Sequence, residues 1–495
     1  MTTLRKLAGQ TAIYGVSSIV ARVMNFLLTP LYTHYFITEE YGVVTELYAY
    51  VAFIIVLLTY GMETTFFRFG SKAISVRDTN RVFSTSFISV IATSVLFIVL
   101  ISANLDPIAR AMDYGDYAIY ILFFAWIVGL DAMSTIPMAR LRLKDKPIPF
   151  AAINLVSIFT NIGLNLLFIV YCPHALEDPS APGHDLIVTH YDSSFGVGYI
   201  FLANLISSAL KFLLLVPWMV DIKFGFHYKL YKKLLPYALP LLFLGLAGIV
   251  NETFDRAFYQ ELSGLDKKTA EAELGVYGAC YKVAMLLSIG IQAYRFAAEP
   301  FIFSIVNPDE SKKTQGMIMK YYFIVASFIA LCILCFLDVA LLLIGEEYRE
   351  GKMVIPILIA AYVLFGVVFN LSFWYKMSDR TIYGALIAAT GAVVTIATNI
   401  VLIPRIGYYG AATATFLAYL AMAILSYSLG RKKYFSDYPL KEIGFYAGLA
   451  TALIIVNYQL NFSGILRHLI AGISVLIYVG ATFSREKKLQ DLFRK

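Results

Sequence analysis

Arg295 and Glu299 stand four residues apart in "QAYRFAAEPFIFS" (292–304), within a long, mostly apolar run. Four residues is about one helical turn, so the two side chains share a face and can pair. Ionisable residues interrupt other apolar runs as well. They are Arg22, Glu46, Glu63, Asp131, Lys211, Lys282, and Glu252, Asp255 and Arg256 in "NETFDR". At membrane depth such a group costs at least ~2.5 kcal/mol, so it faces protein or a wet cavity and marks function. A guanidinium presents a fork of donors that fits a phosphate or diphosphate. Carboxylates among the cations suit a ligand that is anionic at one end and rich in hydroxyls elsewhere. Each position also has a plain structural reading. Arg295 and Glu299 can satisfy one another. Glu63 and Lys211 lie close enough to span ends to snorkel, and 252–256 can lie near a surface. Arg22 and Lys282 have no acidic residue three or four positions away and are expected to line a cavity.

Long apolar helices must position these residues. The chain has 495 residues, 59% hydrophobic and 15% charged, with a mean hydropathy of +0.71. A soluble domain carries about 25% charged residues. Apolar stretches long enough to cross the roughly 30 Å hydrocarbon layer recur from end to end. The reading is an all-α polytopic membrane protein with fourteen spans. Their expected limits are 8–33, 42–66, 82–104, 117–139, 149–171, 195–219, 235–260, 274–305, 317–337, 353–374, 382–403, 408–429, 442–460 and 464–483. The first is expected to have no cleavable leader before it and to act as an uncleaved anchor.

Basic residues set the orientation. With both termini in the cytoplasm, most of the 40 Lys and Arg residues fall on the cytoplasmic side and few outside. The net charge of +7 is then topology and contact with anionic lipid, and no nucleic-acid footprint. The longest loop, 172–194, is expected outside. Its three histidines and four acidic residues are read as a solvated loop. The four cysteines are read as packing residues. The sequence has no Walker A, G-x-G-x-x-G or H-E-x-x-H motif. Neither an enzyme nor a bound cofactor is expected.

The chain repeats itself. "EYGVVTELYAY" (40–50) aligns with "ELGVYGACYKV" (273–283), and "NLLFIV" (165–170) with "NIVLIP" (399–404). The two offsets are nearly equal, which points to an internal duplication. Six spans separate the copies, so they share an orientation, and the pseudo-two-fold axis runs along the membrane normal. This predicts a six-helix lobe over 1–220, a second over 221–430, and a further helix pair with a basic cytoplasmic tail over 431–495. The intramembrane charges gather on spans 1, 2, 7 and 8, the duplicated pairs, and spans 9 to 14 contribute none. Pro30, Pro236, Pro240 and Pro300 lie in or beside these helices and are expected to bend them.

Three segments carry a resemblance: "AGQTAIYGVSSIVARVMNFLLTPLYTHYFITEEYGVV" (8–44), "YRFAAEPF" (294–301) and "NIVLIPRIGYYGAATATFLAY" (399–419). Together they resemble the polysaccharide-transporter family of flippases, within the multidrug/oligosaccharidyl-lipid/polysaccharide superfamily. The resemblance covers essentially the whole chain. It implies movement of an undecaprenyl-diphosphate-linked oligosaccharide, such as an O-antigen, capsule or exopolysaccharide unit, to the outer leaflet by alternating access. It implies a bacterial cytoplasmic membrane, membrane lipids and glycan-assembly enzymes (a polymerase or glycosyltransferases) as partners, and H+ or Na+ as coupling ion. Arg22, Arg256, Lys282 and Arg295 match the cationic role toward the diphosphate. Glu46, Asp131, Glu252, Asp255 and Glu299 are the acidic cavity or coupling candidates, with Glu299 the first choice. The basic residues of span 1 depart from the multi-arginine pattern of a lipid II flippase, which disfavours that alternative. A cation-coupled multidrug antiporter normally has twelve spans. A membrane glycosyltransferase or polymerase usually shows a larger external loop or a clustered acid–base constellation.

Overall fold

The computed structural model describes residues 15, 19–303, 308–378, 380–433, 438–460 and 464–486. Every regular element among them is helical. Among the described residues, thirteen helical stretches are long and apolar enough to cross a membrane. They are labelled α1 (Thr38–Thr59), α2 (Val76–Ala103), α3 (Ala118–Leu143), α4 (Pro147–Asn165), α5 (Gly198–Leu215), α6 (Tyr228–Ala257) and α7 (Lys267–Phe303). The series continues with α8 (Pro308–Cys335), α9 (Val354–Met377), α10 (Ile382–Ile406), α11 (Tyr408–Lys433), α12 (Leu440–Leu460) and α13 (Ile465–Arg485). These are expected spans 2 to 14, most of them longer by a turn or so at one end. Expected span 1 lies largely outside the described residues. Its later part is helical over 19–26 and again over Leu28–Tyr35. Pro30 falls in the first turn of that second piece, where no backbone donor is needed.

Local chemistry sets several helix ends. The Glu40 side chain accepts from the Ile37 backbone N–H at the start of α1, at 3.3 Å. Ser75 caps α2 by accepting from Asp78 N–H at 3.1 Å. Span 2 ends earlier than expected because Tyr60 and Gly61 both adopt positive φ, 34° and 74°. A short helix, Met62–Ser71, follows the break. At Gly61 a Cβ would stand 2.7 Å from the Ala238 carbonyl oxygen of α6, so glycine also permits a close approach. α6 continues as one helix through both Pro236 and Pro240.

Contacts divide the chain into two compact units, Met1–Gly275 and Val276–Lys495. In the first, α3 is the most enclosed helix, packed against α2, α5 and α1. α5 also packs on α4, and α6 on α1. α4 runs on through a wide π-helical turn, Leu166–Tyr171, into Cys172–Glu177. The loop beyond carries a short helix, His184–His190, between local turns. Asp178 accepts from Ser180 N–H and Oγ at 2.9 and 2.7 Å, and Asp192 from Ser194 N–H and Oγ at the same distances. These bonds hold both carboxyls below their ordinary range.

In the second unit, α9 packs against α8 and α11, and α11 lies along α10. The final pair, α12 and α13, docks on α8. Lys320 of α8 pairs with Glu442 at 3.1 Å and Glu486 at 2.9 Å, and Tyr446 donates to Glu486 at 2.9 Å. Arg467 of α13 pairs with Asp338 beyond the other end of α8. The partners of Lys320 stand at helix ends, Glu442 in the first turn of α12 and Glu486 just beyond α13.

Candidate functional site

In the second unit, α7 and α9 bring two cations to one aromatic ring. The Arg295 guanidinium lies 4.3 Å from the Phe369 ring centre, and the Lys376 ammonium lies 5.3 Å from the same centre. Lys376 also lies 5.8 Å from the Phe373 ring. Phe369, Phe373 and Lys376 are spaced four and three apart, so one face of α9 carries all three. Lys376 pairs with Glu299 of α7 at 2.9 Å. Tyr294 donates to Asn370 at 2.5 Å, and Asn370 donates back to the Gly366 carbonyl at 2.8 Å. The aromatic face supports both cations, each contact being worth about 0.5–2 kcal/mol. Arg295, Lys376 and Glu299 together carry one net positive charge, which suits a phosphate-bearing ligand.

The first unit holds two buried acidic candidates, Glu46 and Asp255. Glu46, in α1, is 3% exposed. It accepts from Tyr114 Oη at 2.5 Å and from Tyr50 Oη at 3.2 Å. Among the described residues no cation lies within ion-pair distance of it. Burial, and then the Glu46 carboxyl beside it, push the Tyr114 phenol well above its ordinary value. The Lys267 ammonium sits 3.5 Å from the centre of the Tyr114 ring. It also donates to the Asp113 carbonyl at 2.5 Å and pairs with Glu271 at 3.5 Å.

Directly beside this cluster, α1 crosses the start of α7 at backbone contact. A Cβ on Gly42 would stand 1.9 Å from the Glu271 carbonyl oxygen, and one on Gly275 would stand 1.9 Å from that of Thr38. Thr38 precedes Gly42 by four residues, as Glu271 precedes Gly275. The contact is thus two-fold in pattern, between residues that the internal repeat aligns. The other aligned pair, Asn165 and Asn399, is also equivalent. Both are fully buried, and each donates to the carbonyl four residues earlier at 2.8 Å.

The remaining candidates are placed separately. Arg22 is exposed on its helix. Asp131 of α3 and Lys211 of α5 approach to 3.9 Å, each about a quarter exposed. Asp255 is buried and meets the Arg256 guanidinium at 3.5 Å, while Glu252 is exposed. Glu63 pairs with Arg142, whose guanidinium lies 5.0 Å from the Phe67 ring centre. Lys282 is half-buried in the second unit. Sequence reasoning missed Lys376, which it put beyond the end of span 10. The Phe369, Phe373 and Lys376 stripe was the signal available. It also missed Tyr114, for which no local signal exists.

No family model and no curated protein matches this chain. Solved structures do. One is "Lipid II flippase MurJ, inward closed conformation", with TM-score 0.70 and 13% identity, covering 96% of this chain and 99% of that one. A second is an inward-facing multidrug resistance MATE family transporter of the MOP superfamily, with TM-score 0.67 and 15% identity, covering 84% and 94%. A MOP superfamily transporter from Pyrococcus furiosus aligns with TM-score 0.55 and 13% identity, covering 87% and 94%. The chain has the fold of MOP superfamily transporters. The expected fold class holds on this ground, with thirteen spanning helices among the described residues and the first expected span largely outside them.

Proposed function

We propose that this protein is a flippase for undecaprenyl-diphosphate-linked oligosaccharide, moving it from the cytoplasmic to the outer leaflet by alternating access. The observation that carries this reading is the α7–α9 site, where Arg295 and Lys376 share the face of Phe369 and Glu299 restrains Lys376. A forked guanidinium and an ammonium suit the oxygens of a diphosphate. Arg22, Arg256 and Lys282 supply further positive charge along the route in this reading. Two six-helix lobes, 1–220 and 221–430, then work about the repeat axis, with 431–495 flanking them. The protein lies in the bacterial cytoplasmic membrane, both termini face the cytoplasm, and glycan-assembly enzymes supply and consume its cargo.

Flipping of fluorescent undecaprenyl-diphosphate oligosaccharide in proteoliposomes tests the reading. Transfer that needs this protein, and that stops in Arg295→Ala with Lys376→Ala, supports it. Transfer no faster than in empty liposomes, by protein that is folded and monodisperse, overturns it. A second reading is cation-coupled multidrug export, favoured by the buried carboxylate at Glu46. Accumulation of cationic dyes driven by an ion gradient distinguishes that reading.

A further inference from the structure

Glu46 poses a problem of charge. An ionised carboxylate away from water costs several kcal/mol unless it is paired, yet Glu46 has no cation at ion-pair distance among the described residues. Its two donors are phenols, and one of them is shared. Tyr50 Oη lies 3.2 Å from Glu46 and 3.5 Å from Glu261, a residue of the short helix Tyr259–Ser263 that follows α6. A hydroxyl has one proton to donate. It satisfies both carboxyls together only if one of them carries a proton of its own and donates in return. Glu46 is the one removed from solvent.

The other charged groups around it are committed elsewhere. Lys267 at the start of α7 is held by the Tyr114 ring, two backbone carbonyls and Glu271. Asp255 and Arg256 at the end of α6 face each other. Glu39 and Lys268, at the mouth of the crossing, approach to 4.0 Å. The like charge of Glu261, which shares the Tyr50 hydroxyl, favours a neutral Glu46, and Lys267 behind the Tyr114 ring opposes it.

The position of Glu46 gives this a consequence. It sits one turn along α1 from Gly42, and Tyr114 and Lys267 bridge it to the start of α7. Backbone contact at Gly42 and Gly275 leaves no room for water between the helices there. Parting them by even a few ångströms lets water reach Glu46, where an ionised carboxylate is stable.

We propose that Glu46 is a proton-binding site coupled to the α1–α7 crossing: neutral while Gly42 and Gly275 touch, ionised when the helices part. Closing this end then takes up one proton, and opening it releases one. The use of this step in transport rests on the alternating-access reading, whereas its test needs no cargo.

The test uses full-length protein in liposomes, with the four native cysteines replaced by serine and spin labels at Glu39→Cys and Lys268→Cys. Inter-label distances are measured from about pH 5 to about pH 9, the range for a desolvated carboxylic acid. The ratio of near to far populations should fall as pH rises, by up to about tenfold per pH unit through the titration. Glu46→Gln should keep the labels near at every pH. Tyr114→Phe, which removes a donor to the ionised form, should move the transition to higher pH. Should Glu46→Gln not fold, Tyr114→Phe decides alone, and an unchanged midpoint overturns the proposal. So does a parent ratio that is flat with pH, or a Glu46→Gln ratio that follows pH as the parent does. Loss of the transition in Glu261→Gln, with its retention in Glu46→Gln, places the proton on Glu261 and also overturns it. All of these are read without substrate. Failure here leaves the flippase reading standing, and failed flipping leaves this result intact.

Discussion

At the scale of single residues, charge inside an apolar chain marks candidate chemistry, and three-dimensional neighbours decide its use. Arg295 and Glu299 read in sequence as a pair on one helix. In the structure Glu299 holds Lys376 of another helix, and Arg295 lies over Phe369. Arg295→Ala and Lys376→Ala should each slow flipping at least tenfold while leaving the protein in the membrane, as assayed with the fluorescent lipid-linked glycan. Arg295→Lys should rescue poorly, because a point charge cannot form the forked contact or stack as flatly on the ring. Asp221 gives a pH prediction. Hydrogen bonding to the buried Arg140 guanidinium at 2.9 Å holds its carboxyl below the ordinary range. A depressed carboxyl stabilises the fold above its unfolded value, about 3.9, and that contribution disappears as pH falls below the folded value. Asp221→Asn should therefore cost about 1 kcal/mol near pH 7, a small figure because Asp221 is half in solvent. Thermal unfolding in detergent should show the gap from the parent closing toward about pH 3.

At the scale of elements, the repeat gave a prediction that packing answers in detail. Gly42 and Gly275 were matched only as letters in two aligned strings. The structure makes each the gap that admits the other helix's backbone. Gly42→Ala or Gly275→Ala must push α1 and α7 apart or force out a carbonyl, an overpacking cost of about 1–3 kcal/mol. Either variant should unfold at lower temperature, and in the spin-labelled protein either should lengthen the 39–268 distance. An unchanged distance in both would show that the backbones do not touch. α6 runs on through Pro236 and Pro240 as one helix, because neighbouring groups can satisfy the freed carbonyls. The break in span 2 was hidden. Tyr60 adopts a left-handed conformation that its residue type does not advertise, and only the following glycine hints at it.

At the scale of the whole molecule, the positive-inside count yields the remaining prediction. A cysteine at Ser193, an exposed position, should react with an impermeant thiol reagent in intact cells. Labelling only after permeabilisation would invert the topology. Thirteen of the fourteen expected spans, their approximate limits and the all-helical class were legible because lipid leaves few solutions. Every backbone polar group must be satisfied within a segment, so about twenty apolar residues mean a helix. The duplication was legible because aligned copies keep the same glycine and asparagine at nearly one offset. Tertiary structure alone decided which charges meet. Lys376 reaches Glu299 across 77 residues, Tyr114 reaches Glu46 across 68, and Lys320 reaches Glu486 across 166. No period or motif encodes those encounters. They follow from which helix faces turn toward one another, and burial then sets the worth of each charge.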